Sequence, residues 1–320
     1  MRIQTGPDYR QRLPLDVCGG IMSRISPLFA GSVRMAIEGA SAAPGRSPAW
    51  LERASDIRFV EYSHDGDDTL ISLGLPRLGD AAEDLYRQSE FWDTRPGPDD
   101  TAFEVFRHVV DDVAAGNSES SWYDRRLLTR LARMKLVFGD PIRAIRLSTA
   151  DEALNAVNAT RVTEGVSETA GRLSATTPAS RQVRIAGMLD MIRHSTRGFS
   201  LRLESGEEVH GVMESAEGLG ALPGFFGRPV LIPGRAIYRP SGRLLRIDAA
   251  GIEDGVGSSS LFAKVPLSQA ARPAASSRLK ASDAGKRGVA AFFGTWPGDE
   301  TDADMETLVN EVRGHAVLVH

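Results

Sequence analysis

Across residues 182–252, apolar and polar side chains alternate with a period of two, broken at intervals by glycine, serine and proline. Val183, Ile185, Gly187, Leu189 and Met191 alternate with Arg184, Ala186, Met188 and Asp190, the pattern of a half-buried strand. The glycine in its middle predicts a bend or a close approach by another backbone. A polar loop, Arg193-His194-Ser195-Thr196-Arg197, leads into Phe199, Leu201 and Leu203, which alternate with Ser200, Arg202 and Glu204. Ser205-Gly206 turns the chain into Val209, Gly211 and Met213, and two alternating runs around a short glycine turn predict a hairpin. Leu219, Leu222 and Phe226 are spaced for a short helix. Two more strands, 229–238 and 243–249, are joined by Pro240-Ser241-Gly242. Three strands, a short helix and two strands is the order of an OB-fold, a small five-stranded Greek-key barrel; an SH3-like barrel is the competing arrangement.

The first half is patterned differently. Val17, Ile21, Ile25, Leu28, Phe29, Val33 and Ile37 form a helical stripe, with Gly19-Gly20, Pro27 and Gly31 arguing against a single unbroken helix. Residues 57–62 and 69–75 read as a hairpin around His64-Asp65-Gly66-Asp67-Asp68. Phe103, Phe106, Val109, Val110 and Val113 mark one helix, and Leu127, Leu128, Leu131, Met134 and Phe138 mark another. Residues 142–147 predict a strand beside the hairpin, Asp151 caps a helix over Ala153, Leu154 and Val157, and 160–180 reads as part helix and part linker. The expected fold class is α+β. A helical domain with a small sheet spans 1–180, and a five-stranded OB-like (or SH3-like) β-barrel spans 181–254. A flexible linker follows over 255–288, and a tethered tail with a short C-terminal helix over 289–320.

Composition narrows the class. Of 320 residues, 42% are hydrophobic and 25% charged, as in ordinary soluble proteins, and the net charge of −4 means that any site for an anionic polymer must be local. A single cysteine, Cys18, excludes an internal disulfide and fits a reducing compartment. No apolar run approaches the ~20 residues that span a bilayer, and the first residues lack a signal-peptide core, so a cytoplasmic protein is expected.

Catalytic chemistry finds no support in the residue pattern. His64 with Asp65, Asp67 and Asp68 has the clustered oxygens a hard cation wants, but Asp-Gly is a turn signal in its own right. His108 and Asp112, four apart on a helix, read as solvated neighbours. The glycines of residues 218–224 lack the strand–loop–helix context of a nucleotide loop, Cys18 sits on an apolar stripe, and no nucleophile turn is present. The expectation is a non-enzymatic protein with no catalytic residues, cofactor or metal.

Two binding surfaces stand out. In an OB-fold the first and last loops flank one face, and here they hold Arg193, His194 and Arg197, and Arg239 and Arg243, candidate contacts for a nucleic-acid backbone. The barrel itself shows no aromatic platform on which bases stack. The second surface is the tail: Phe292, Phe293 and Trp296, then Leu308, Val312 and Arg313 on a short acidic helix, apolar anchors that order against a partner.

Gly187-x-Leu189-Asp190-x-Ile192-Arg193, Phe199-x-Leu201, Val209-x-Gly211-Val212, residues 239–247 and Trp296-Pro297-Gly298-Asp299-Glu300-Thr301-Asp302 resemble a family of uncharacterised bacterial proteins. The resemblance covers the barrel and tail well and the first half loosely, and it brings no catalytic motif. It implies an antitoxin-like component of a toxin–antitoxin system that binds and neutralises a small toxin, a PIN-type ribonuclease, through its tail. The alternative is an OB-fold nucleic-acid-binding protein. Oligomeric state has no signal in the sequence.

Overall fold

In the computed structural model the described residues are 1–5, 13–86, 96–139, 142–149, 159–257 and 262–268. The expected helix at Asp151 and the whole of the tail, with Phe292, Phe293, Trp296, Leu308, Val312 and Arg313, lie outside them.

A short strand, β1 (Arg2–Thr5), precedes α1 (Leu15–Glu38), a helix of 24 residues. Despite Pro27, α1 continues to Gly39, which ends it in the left-handed region at φ 72°. An interior proline costs about 3 kcal/mol. Burial of Ile21, Ile25, Leu28, Phe29 and Val33 along one stripe, at roughly 1.5–3 kcal/mol each, outweighs it. Then come α2 (Ala49–Ala54), a hairpin of β2 (Arg58–Asp65) and β3 (Asp68–Gly74), and the short α3 (Leu78–Ala81) and α4 (Glu83–Tyr86). Gly66 takes φ 61° in the two-residue hairpin turn. Helix α5 (Ala102–Ala114) starts with a capping box between Thr101 and Glu104, and α6 (Arg125–Ala132) is capped by the Asp124 carboxylate.

Strand β4 (Ile142–Leu147) and strand β5 (Thr160–Thr163) follow, and α7 (Glu164–Thr176) is capped by Thr163. The stretch 160–180, expected as part helix and part linker, is thus a strand running straight into a helix; its eight Ser and Thr residues gave it no apolar alternation. The sheet is antiparallel throughout, in the order β2-β3-β1-β4-β5, so β4 joins the hairpin only through β1. Its inner face carries Ile3, Ile71, Ile145 and Val162 into one core with α1, α5, α6 and α7, where the Phe29 and Phe106 rings lie 5.1 Å apart.

The second core belongs to a closed five-stranded barrel. Its strands are β6 (Arg181–Arg193), β7 (Gly198–Arg202), β8 (Glu208–Met213), β9 (Pro229–Tyr238) and β10 (Leu244–Ala249), with α8 (Ala216–Ala221) between β8 and β9. The first half of β6 pairs with β9 and its second half with β7. Gly187 sits at the changeover, where a Cβ would lie 3.0 Å from the Arg202 carbonyl, the close approach its sequence position predicts. Strand β8 pairs in parallel with β10, and β10 pairs antiparallel with β9, closing the ring. Ile185, Leu189, Phe199, Leu201, Val230 and Ile247 fill the interior. A two-residue strand, β11 (Glu253–Asp254), extends the β9 edge. Within the expected linker, residues 262–268 return to the barrel: Val265 packs against its core, and the Tyr238 hydroxyl donates to the Leu267 carbonyl at 3.3 Å.

Candidate functional site

The two cores meet along the outer side of β10. Alternation puts Ile247 inside the barrel and Arg246 outside it, yet the Arg246 side chain is only 8% exposed, because the N-terminal layer lies against it. Arg246 Nε donates to Asp248 Oδ1 at 2.7 Å, and its Nη2 faces Asp124 Oδ2 at 3.6 Å. The neighbouring Leu245 packs against the N-terminal core.

Asp124 is the matching buried group. Its Oδ1 accepts from the Ser41 hydroxyl at 2.6 Å and from the Leu127 N–H at 3.0 Å, and its Oδ2 accepts from the Ser41 N–H at 3.1 Å. Burial works to raise its pKa, but the Arg246 charge and the bonds from Ser41 and Leu127 outweigh that and hold the carboxyl below the ordinary range. One carboxylate therefore caps α6, anchors the loop at Ser41 and meets the barrel's arginine.

Two cavities flank Arg246, which lines both together with Val212. The smaller, about 200 Å³, lies against α6 and the β8–β9–β10 side of the barrel, with Arg125, Arg126, Arg197, Arg235 and Arg246 against Asp124, Glu214 and Asp248. The larger, about 460 Å³, lies between the end of α1, Trp122 and the ends of β6, β7 and β8, with Arg193, Arg239, Arg246 and His210 in its wall. Glu38 also lines it, but is buried against Arg34 at 2.6 Å. Trp122 is braced by His108, stacked with ring centroids 4.6 Å apart.

Three arginines that line these cavities each keep one donor nitrogen sealed from solvent. Arg235 Nε, Arg239 Nε and Arg246 Nη1 are buried without a hydrogen-bond partner among the described residues. A buried donor left unpaired costs about 1–3 kcal/mol, a cost carried at the joint between the two layers.

The rim residues marked in the sequence divide across this cleft. Arg193 and Arg239 line the larger cavity and Arg197 the smaller, where Arg197 takes φ 56°, an uncommon conformation for a side chain with a Cβ. Arg239 and Arg243 both face Glu119 of the N-terminal layer, at 3.8 and 3.6 Å. His194 heads a 3-10 turn and is exposed, lining neither cavity. Ser200, expected on the outer surface, is buried with its hydroxyl unpaired. Sequence reasoning missed Arg235, Arg246 and Trp122. The two arginines stand at outward positions of alternating strands, which read as solvated, and Trp122 follows no period.

Elsewhere the candidate groups have structural roles. Asp65 and Asp68 of the hairpin turn are ion-paired to Arg2. No group of three or more His, Cys, Asp or Glu able to hold a metal ion occurs among the described residues. Burial pushes the Cys18 thiol pKa up, away from thiolate chemistry. No helix among the described residues is long and apolar enough to cross a membrane.

Comparison with protein-family models, with curated proteins and with solved structures gives no match in any of the three.

Proposed function

We propose that the chain is a binding protein whose barrel is an OB-fold and whose ligand is single-stranded nucleic acid held in the arginine-lined cleft. The strands close in the order first, second, third, fifth, fourth, with a short helix after the third, and that order supports the OB reading. The cleft runs along the second and third strands of the barrel and between its first and last loops, the face that OB-folds use for oligonucleotides. The observation that carries the reading is the convergence of Arg193, Arg197, Arg235, Arg239 and Arg246 on the walls of the cleft. The barrel's want of an aromatic platform is met from the other side of the cleft by Trp122. A chain of net charge −4 thus concentrates cations at one place.

The test is anisotropy of a labelled single strand over a range of salt. Phosphate contacts from Arg193, Arg197 and Arg239 give a slope of log affinity against log salt of about −2, at about −0.7 per contact. Replacing Arg193 and Arg239 together by alanine is expected to remove about two-thirds of that slope. No salt-dependent binding of either DNA or RNA strands would overturn the reading.

A second reading rests on the resemblance and on the apolar anchors of the tail. Leu267 is tied to Tyr238, which lines the smaller cavity, so this part of the chain lies beside the cleft. Its segment 289–320, with Phe292 and Trp296 as anchors, is the part that would bind a small protein toxin of the PIN-type ribonuclease class. Co-purification of such a neighbour with the full chain, lost on truncation after Gly288, tests it.

A further inference from the structure

The smaller cavity is lined by arginines of two kinds. Arg235 is committed to Glu214 at 2.9 Å, and Arg246 to Asp248 at 2.7 Å, with Asp124 at 3.6 Å. The three carboxylates of the wall are thus answered from within it. Arg125, Arg126 and Arg197 are different. Among the described residues their side chains make no ion pair and no hydrogen bond, and all three are exposed or half-exposed, so they can turn onto a ligand. They come from both layers. Arg125 and Arg126 open the first turn of α6, and Arg197 lies between β6 and β7, held in left-handed backbone at φ 56°.

Five arginines against three carboxylates leave this wall a formal excess of two positive charges, in a chain whose net charge is −4. Like charges gathered at one place repel, so the arrangement suits an anion of matching charge. At about 200 Å³ the cavity falls below the roughly 300–1,000 Å³ of pockets that enclose whole organic ligands, so it has room for an oxyanion group rather than a nucleotide. Guanidinium forks suit phosphoryl oxygens in geometry and charge. A phosphodiester brings one negative charge and must leave such a cavity on two sides. A terminal phosphomonoester brings about −1.5 to −2 at pH 7 and leaves on one.

We propose that the smaller cavity is a site for a terminal phosphomonoester, held by Arg125, Arg126 and Arg197. The end of a strand and a free nucleotide present the same group; the first source rests on the nucleic-acid reading, the second does not. The site uses the smaller cavity alone.

Two measurements on the full chain test it. Calorimetry reads inorganic phosphate and adenosine monophosphate, and anisotropy compares one labelled strand bearing a 5′-phosphate, a 3′-phosphate or hydroxyls at both ends. Both small phosphates are expected to bind, and a strand with a terminal phosphate to bind about tenfold more tightly than the hydroxyl strand. That preference should fade as pH falls through about 6, where the monoester takes up its second proton. Arg125→Gln with Arg126→Gln, on an exposed helical turn, should abolish the preference and weaken inorganic phosphate about tenfold. Arg197→Asn should do the same, since asparagine tolerates left-handed backbone. Arg184→Gln, which removes the same charge at an exposed position lining neither cavity, should change nothing.

No binding of either small phosphate together with equal binding of all three strands overturns the site. So does an Arg184→Gln effect as large as that of the cavity variants, which would reduce the preference to bulk charge. In either case a hydroxyl strand bound with salt dependence leaves the nucleic-acid reading in place. Small phosphates bound through these arginines with no strand bound would remove that reading and identify the source as a free nucleotide.

Discussion

Asp124→Ala is the perturbation that bears hardest on the joint between the two cores. It removes the cap of α6, an interaction worth about 1 kcal/mol. It leaves the buried Ser41 hydroxyl and N–H without their acceptor, about 1–3 kcal/mol. It also takes one carboxylate from Arg246. Breaking a buried pair costs about 3–5 kcal/mol. Here the lower end applies, because Arg246 keeps Asp248 at 2.7 Å and stands 3.6 Å from Asp124. The contributions overlap and are not summed, so the expected loss is about 3–4 kcal/mol. Asp124→Asn keeps one oxygen for the Ser41 hydroxyl and the Leu127 N–H, but turns an amide donor towards the Ser41 N–H and Arg246. Its expected cost is about 2 kcal/mol, from one lost bond and the lost charge. Urea unfolding followed by circular dichroism and tryptophan emission gives both values. A loss below about 1 kcal/mol for Asp124→Ala, or equal losses for the two variants, would refute the assignment of the joint to this carboxylate.

The same carboxylate sets a pH dependence. Its folded pKa lies below the unfolded value of about 4, so its stabilisation is complete above that value and is lost as pH falls through the folded one. The stability gap between the wild type and Asp124→Asn is therefore expected to be constant above about pH 5 and to close in stronger acid. Gly211→Ala should lower stability by about 1–3 kcal/mol or more, since its Cβ would lie 2.1 Å from the buried Phe199 ring; an unchanged melt would show that the ring has room to move. Truncation after Gly288 is expected to leave the melting temperature within a degree or two of the full chain while abolishing capture of a toxin partner. An earlier melt with capture retained would place the tail in the protein's own core.

The barrel was legible because each strand faces a filled interior on one side. Val183 to Met191, Phe199 to Leu203 and Val209 to Met213 therefore carry a strict alternation, and Gly187 marks the close crossing. Short or weakly patterned elements were not: β1 is four residues long, and Thr160–Thr163 is hidden among serines and threonines. Alternation also says which side of the barrel wall a residue takes, but not what lies beyond the wall. Arg246 and Arg235 thus read as solvated positions, although one is buried against Asp124 and both line the cleft. Of the rim read from the sequence, Arg193, Arg197 and Arg239 reach the cleft, and Arg243 is drawn to Glu119. A site assembled between two layers leaves no spacing in the chain, because its halves come from distant stretches.

Hydrogen–deuterium exchange of the full chain, with and without a short single-stranded oligonucleotide, tests the location of binding most directly. Exchange is expected to slow in residues 35–44, 121–126, 193–198, 210–213 and 235–246, the segments that surround Arg246 from both layers. The hairpin at 58–74 and the far side of the barrel should exchange as before. Protection confined to other segments, or none at saturating oligonucleotide, would contradict it.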